Sequence, residues 1–137
     1  MTAGAMVRRF EQAPRVAEAA ALLALTRVVL LLSPRVAAGG LISRASNAAS
    51  STAPVNPKAD KVAWAVERVA PWISGSTCLN RALTGWLMLK RRGIPSVVRV
   101  GARREAAGSM SMHAWLEVGG QPLIGSEEAS GFVPLSR

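Results

Sequence analysis

The sequence predicts an α+β fold in which helices come first and a small antiparallel sheet follows. Apolar residues recur at helical spacing through most of the chain before Pro95, whereas after it they alternate with the period of two that is typical of strands. Half of the 137 residues are apolar and 18% are charged, which is the size and composition of a single globular domain. We therefore expect one compact domain overall.

Three helices are predicted before the sheet. The first, from Pro14 to Ser33, is largely apolar and is expected to pack against the rest of the chain. The second starts near Asp60, whose carboxylate can cap it. The third starts at Cys78 and stops before Gly93.

The chain divides into three stretches of different composition. Residues 1–36 form the N-terminal apolar helical segment, and residues 37–59, rich in Gly, Ser, Ala and Pro, are expected to form a linker or long loop. Residues 60–137 hold the predicted core.

The predicted sheet has three strands. Ser96–Gly101 is β-branched, Met110–Val118 alternates, and Gln121–Ile124 returns after a hairpin turn at Gly119-Gly120.

Composition and charge exclude several classes of function. Lys and Arg number 17 against eight acidic residues, and the resulting charge of +9 favours acidic partners. We do not expect nucleic acid to be one of them, because only 4% of the residues are aromatic. One cysteine and one histidine are too few for a zinc site of the usual ligands, so no metal or other cofactor is expected. Glu18 and Arg27 interrupt the apolar helix, so we expect a cytoplasmic protein without stable membrane insertion.

Cys78 and His113 are the residues that could carry chemistry. Cys78 lies in the first turn of a helix, where free N–H groups and the helix dipole favour a thiolate. His113 lies on a strand, on the face that it shares with Trp115 and Glu117. A lone cysteine is usually buried and inert. Together, however, a single thiol and a single imidazole form the pair that thiol-based acyl transfer requires.

A third group is needed to orient the imidazole, and it is normally a carboxylate or an amide. Glu117 lies too far along the strand for this role, while Glu127 can reach across the hairpin from beyond the returning strand. We predict Glu127 as the third member and rank Glu128 next. Both could instead be solvated surface acids.

Several stretches of the chain resemble one enzyme family. The similar stretches are Cys78–Leu83, Leu89–Pro95, Arg99–Gly101 and His113–Val118. They resemble the transglutaminase-like leader peptidases of lasso-peptide biosynthesis, the second B-type protein of split systems, which belong with the C-terminal domain of the microcin-processing protein. The resemblance covers residues 62–135.

This resemblance implies a transglutaminase/papain-like core and a cysteine peptidase that removes the leader from a ribosomally made precursor. Cys78 would be the nucleophile, at a helix N-terminus, and His113 the general base. The implied partners are the precursor peptide, a small leader-recognition protein and a lasso macrolactam cyclase. The family commonly carries an aspartate at the position where this chain has Gly125.

Two other functions remain open from the sequence. A transglutaminase-like acyl transferase would use the same nucleophile and base to form a new amide. A non-catalytic, basic binding or adaptor protein would bury Cys78 and use its basic runs, such as Lys90–Arg92, to bind a partner.

Overall fold

A computed structural model describes residues 3–33, 40, 42–47, 57–73, 77–125 and 131–135. Within these ranges the α-helices are α1 (Ala3–Leu32), α2 (Ser43–Asn47), α3 (Pro57–Val69) and α4 (Cys78–Arg91), and a short 3-10 helix (Ala70–Trp72) follows α3. The strands are β1 (Val97–Arg104), β2 (Met110–Val118), β3 (Gln121–Ile124) and β4 (Val133–Pro134). The predicted order, helices followed by a small antiparallel sheet, is confirmed.

Two helices begin earlier than the sequence predicts. α1 starts at Ala3 rather than at Pro14, which lies inside the helix although an internal proline costs one hydrogen bond and about 3 kcal/mol. α3 starts at Pro57, because a proline fits the first helical position, where its missing N–H has no intrahelical partner anyway. Asp60 therefore lies in the first turn rather than at the cap. Its negative carboxylate there interacts favourably with the positive end of the helix dipole.

The stretch predicted as a linker contains regular structure. α2 lies inside residues 37–59, and α3 begins within them. Ala45 of α2 is fully buried and belongs to the hydrophobic core. Residues 37–39, 41 and 48–56 lie outside the described residues.

The four strands form one antiparallel sheet in the order β3-β2-β1-β4. β2 and β3 have the predicted bounds. Gly119 and Gly120, between them, have φ values of 60° and 77°, the left-handed conformation that a two-residue hairpin turn requires. Within the described residues, β4 is the one strand that the sequence did not predict.

The three longer helices, α1, α3 and α4, pack on one another, and α4 lies against β2. The contact between α4 and the sheet is close at Gly85. A Cβ there would lie 2.8 Å from the Leu116 side chain and would collide with Ile124. The core is formed by residues from both layers, among them Leu23, Val62, Val66, Leu83, Leu89, Val98, Leu116 and Ile124.

An ion-pair cluster joins α1 to the C-terminal end of α4. The Glu18 carboxylate accepts hydrogen bonds from Arg92 at 2.6 Å and 3.0 Å, and from Arg91 at 2.8 Å. The hydrogen bond from Arg92 lowers the pKa of Glu18, burial opposes this shift, and the charges of Arg92 and Arg91 add to it. The same carboxylate raises the pKa of Arg92. Glu18 of α1 thus offsets one of the three positive charges at the end of α4, Lys90, Arg91 and Arg92, which the helix dipole also favours.

α1 has one buried and one exposed apolar side. Ala19 and Leu23 are fully buried in the core, as expected for a helix that packs on the rest of the chain. Among the side chains of this helix whose burial is described, the exposed large apolar ones are Leu25, Val28, Leu31 and Leu32. Over the described part of the chain, none of the helices has the length and apolar character needed to cross a bilayer.

Candidate active site

Cys78 is the first residue of α4, and Thr77 caps the helix there. The Thr77 hydroxyl accepts a hydrogen bond from the Asn80 N–H at 3.2 Å, and the Thr77 carbonyl accepts one from the Arg81 N–H at 3.0 Å. Helix geometry then leaves the N–H groups of Cys78 and Leu79 without a partner inside the helix. The Cys78 thiol is free of disulfides and partly exposed, so its position suits a nucleophile next to two oxyanion donors.

Buried polar contacts fix the start of α4 against α1. The Asn80 amide donates to the Leu23 carbonyl at 3.1 Å and to the Thr26 hydroxyl. Thr26 also pairs with Thr84, one turn further along α4, with 3.1 Å between their hydroxyl oxygens. All three polar side chains are buried. α1 therefore helps to position the helix start that carries Cys78.

His113 lies in β2 opposite Gly101 of β1 and is only 3% exposed. Its Nε2 lies 3.1 Å from the main-chain oxygen of Gly125, the residue that follows β3. Because a carbonyl oxygen can only accept, Nε2 must carry the hydrogen in this contact. The imidazole is thus held by the backbone of the neighbouring chain segment.

Aromatic rings pack around the imidazole, and Trp115 and Glu117 lie on the same face of β2 as His113, as the sequence predicts. The Trp115 ring stacks with it at a centroid distance of 6.1 Å and an interplanar angle of 21°, and the Phe132 ring lies 5.2 Å away. The Trp115 indole donates to Glu117 at 2.9 Å, and Arg99 donates to the same carboxylate at 3.2 Å. Glu117 therefore holds Trp115 and Arg99 in place, which agrees with the expectation that it is not the orienting acid.

Two acidic residues are predicted to orient the imidazole. Glu127 and Glu128 lie outside the described residues, so the orienting role of either acid stays a prediction. In the described part of the chain, no three His, Cys, Asp or Glu side chains come together in a way that could hold a metal ion.

Connectivity places Cys78 and His113 on neighbouring elements. Residues 92–96 join the end of α4 to the start of β1, which pairs with the end of β2. The start of α4 and the start of β2 therefore point towards the same end of the domain. Leu116, which packs against α4, lies on the opposite face of β2 from His113. The β3 ladder ends at Leu116, and the contact between the thiol and the imidazole stays a prediction.

A comparison with protein families identifies the superfamily of the chain. The family model of the transglutaminase-like superfamily matches residues 20–137, which is most of the chain. The chain belongs to the transglutaminase-like superfamily. Transglutaminase-like proteins generally include cysteine peptidases and acyl transferases, both of which use a thiol nucleophile. Neither a curated protein nor a solved structure matches this transglutaminase-like chain.

Sequence reasoning missed two features of this transglutaminase-like site. The Gly125 carbonyl was not predicted as a partner of His113, although its position was noted because the resembling family carries an aspartate there. No local sequence pattern predicts that Phe132 packs on His113. This contact depends on the return of the chain to the sheet as β4.

Proposed function

We propose that this transglutaminase-like protein is a cysteine peptidase that removes the leader from a ribosomally made lasso precursor peptide. The observation that carries the proposal is the place of Cys78, a partly exposed thiol at the capped start of a helix that packs on the strand of His113. The narrower substrate assignment is supported by the resemblance of Cys78–Leu83 and His113–Val118 to leader peptidases.

The proposed reaction starts with proton transfer from the Cys78 thiol to Nδ1 of His113. The thiolate attacks the carbonyl carbon that joins leader to core, and the N–H groups of Cys78 and Leu79 bind the resulting oxyanion. The C–N bond breaks as His113 protonates the leaving amine of the core, which leaves the leader as a thioester on sulfur.

Water completes the reaction. His113 takes a proton from the water molecule, hydroxide attacks the thioester, and the leader leaves as a free carboxylate while the thiol is restored. The chain's own groups and water supply every proton, so the proposed cycle uses no cofactor.

The proposed partners follow from this role. The precursor is presented by a small leader-recognition protein, and the freed amine of the core is consumed by a macrolactam cyclase. The net charge of +9 favours an acidic leader through long-range attraction.

Cleavage of a candidate precursor tests the proposal. We expect the purified protein, with the recognition partner, to release leader and core, and Cys78→Ala and His113→Ala each to abolish release because they remove the nucleophile and the base. Mass spectrometry of the products measures this. Gln121→Ala is the control, because Gln121 is exposed and pairs with Val118, five residues along β2 from His113, and it should cleave normally.

The same assay separates the alternatives. Retained cleavage by either purified variant would refute the proposal. A new amide in the presence of an added amine would identify a transferase. An inert thiol that iodoacetamide alkylates slowly in the native wild-type protein would support a non-catalytic adaptor. Glu127→Gln should lower the rate less than His113→Ala if Glu127 supports the imidazole.

A further inference from the structure

We infer that the outer edge of β2 at Met110–Met112 is a docking surface for an extended, acidic segment of the precursor leader, which pairs with β2 as an added strand. The identity of this ligand rests on the proposed function. The surface itself follows from the register, the backbone direction and the exposure of β2.

The backbone groups of Met110 and Met112 face away from β1. The Val100 carbonyl accepts a 2.9 Å hydrogen bond from the residue that follows β4, so Val100 directs its backbone groups towards β4. This direction alternates from one residue to the next in an antiparallel pair, so Ala102 and Arg104 also face β4. Met112 and Met110, which lie opposite them, therefore direct their N–H and C=O groups to the far side of β2.

Strand β3 pairs with only the last part of β2. Its ladder reaches back along β2 as far as Leu116, and Gly125 then passes the Ala114 carbonyl oxygen, which would lie 3.2 Å from a Cβ at that glycine. Among the described residues, no strand pairs with Met110 or Met112 on this side. An extended peptide can therefore add there in line with β3, as peptides do at other sheet edges.

The two methionine side chains lie on the face of the sheet that packs on α4. Leu116 lies against Gly85 of α4, and side chains two residues apart share a face of a strand, so Met110 and Met112 project on the same side. Each is 60% exposed, and methionine adapts to apolar side chains of different shape. Since β2 and α4 start at the same end of the domain, a peptide paired here is held at the end that carries Cys78.

Charge favours an acidic peptide over a second copy of the chain. Arg104 lies opposite Met110 on the same face and is exposed. A strand added beside β2 lies two strand spacings, about 10 Å, from β1, which is comparable to the Debye length at physiological salt, so Arg104 attracts a carboxylate on that strand. Two copies paired along this edge would instead bring together two chains of charge +9.

Amide hydrogen exchange tests the surface without turnover. The probe is the acetylated peptide Glu-Val-Glu-Val-Glu-Val, which alternates like a strand and carries only negative charge. At saturation it should slow exchange of the Met110 and Met112 amides about 10-fold, the factor expected for one added hydrogen bond. The Ser111 and His113 amides, which already face β1, should be unchanged, as measured by ¹H–¹⁵N NMR. Bound probe that leaves Met110 and Met112 unprotected would overturn the inference.

A change at Met112 isolates the backbone hydrogen bond. Met112→Pro removes an outward N–H but no donor of the β1–β2 ladder, and it should weaken binding of the fluorescein-labelled probe about 10-fold in fluorescence anisotropy. Met112→Val keeps the N–H and is the matched control, which should bind like the wild-type protein. If Met112→Pro fails to fold, a probe N-methylated at every residue tests the same bonds on the wild-type protein. Equal binding of the methylated and unmodified probes would contradict strand addition.

A pair of charge reversals tests the preference for acidic peptides. Arg104→Glu should weaken binding about 2- to 4-fold at low salt, because it replaces an attraction by a repulsion at about 10 Å. Arg68→Glu, on the exposed side of α3, changes the net charge equally and is the control. Equal effects of the two reversals would overturn the assigned role of Arg104. A dimer that protects the Met112 amide without probe would overturn the inference in favour of self-pairing.

The results separate docking from catalysis. Protection of Met110 and Met112 by the probe, in a protein that cleaves no precursor, would support the surface and count against the proposed function. Precursor cleavage by Met112→Pro with an unchanged KM would overturn the surface and leave the peptidase assignment standing.

Discussion

At the residue scale, the start of α4 depends on a single hydroxyl group. Thr77 accepts the Asn80 N–H and so sets the direction in which the Cys78 and Leu79 N–H groups point. The Thr77 cap therefore stabilises the start of the helix. Under the proposed mechanism it also positions the N–H groups that bind the oxyanion.

Thr77→Ala should lower the free energy of unfolding by about 1 kcal/mol, because the Asn80 N–H loses its acceptor. Urea denaturation followed by circular dichroism measures the change. Thr77→Ser keeps a hydroxyl cap and is the control, which should stay close to the wild-type value. An alanine variant as stable as the serine variant would show that the cap contributes nothing.

The sequence was informative about Cys78 and His113 for a physical reason. Each is the single residue of its type, and each lies in a local pattern, a helix start or an alternating strand, that can be read from a few neighbours. No local sequence pattern predicts the contact of the Gly125 carbonyl with His113. Every residue has a carbonyl, and the fold determines which of them lies next to the imidazole. The placement of Cys78 and His113 on these elements is confirmed, whereas their contact stays a prediction.

At the element scale, the packing of α4 on the sheet is set by the absence of a side chain. Gly85 lets the helix approach Leu116 and Ile124 so closely that no Cβ fits between them. The distance between α4 and the sheet, and with it the distance of Cys78 from the sheet, would therefore change if Gly85 gained a methyl group.

Gly85→Ala should destabilise the protein by about 1–2 kcal/mol, because overpacking outweighs the gain in helix propensity. Gly4→Ala is the control: Gly4 is also helical, but its Cβ position has open space, so this change should be neutral or slightly stabilising. Thermal unfolding measures both. Adding Ile124→Val to Gly85→Ala removes the colliding Cδ1 atom and should recover part of the loss, and no recovery would contradict the overpacking explanation.

The sequence predicted the strands better than the helix starts. Strand alternation and the Gly119-Gly120 turn are local signals, and β2 and β3 have the predicted bounds. Pro14 was read as a helix start because a proline fits the first helical position, yet α1 continues through it from Ala3. α2 and β4 are short, and the contacts that stabilise them come from distant parts of the chain.

At the scale of the whole molecule, α1 is part of the domain and not only a surface for partners. It contributes Leu23 to the core, Thr26 to the polar contact with α4, and Glu18 to the ion-pair cluster. The residues on its other side are exposed, while the buried side is needed for folding.

The ion-pair cluster gives stability a dependence on acid pH. The pKa of Glu18 lies below its ordinary value of 4.5 in the folded protein, mainly because Arg92 donates to the charged carboxylate. Its contribution is therefore fully present above pH 4.5 and is lost as the pH falls through the lowered pKa.

Glu18→Gln should cost about 1–3 kcal/mol at neutral pH, because hydrogen bonds to charged groups contribute this much and the glutamine offers Arg91 and Arg92 one neutral acceptor oxygen in place of a carboxylate. The difference from the wild-type protein should shrink as the pH falls below 4.5. Urea denaturation across this range measures it. Glu67→Gln removes the more exposed pair with Arg81 and should change stability by less than about 1 kcal/mol. Equal effects of the two changes would contradict the assigned importance of Glu18.

The backbone contact at His113 also has a consequence for how such proteins are found. Because a main-chain oxygen lies against the imidazole, a catalytic-triad template built from side chains alone overlooks this contact. Saturation mutagenesis would instead record position 125 as a glycine that tolerates no replacement, with no functional group to explain it. Searches that score main-chain acceptors around an imidazole would retrieve enzymes of this kind that side-chain templates discard.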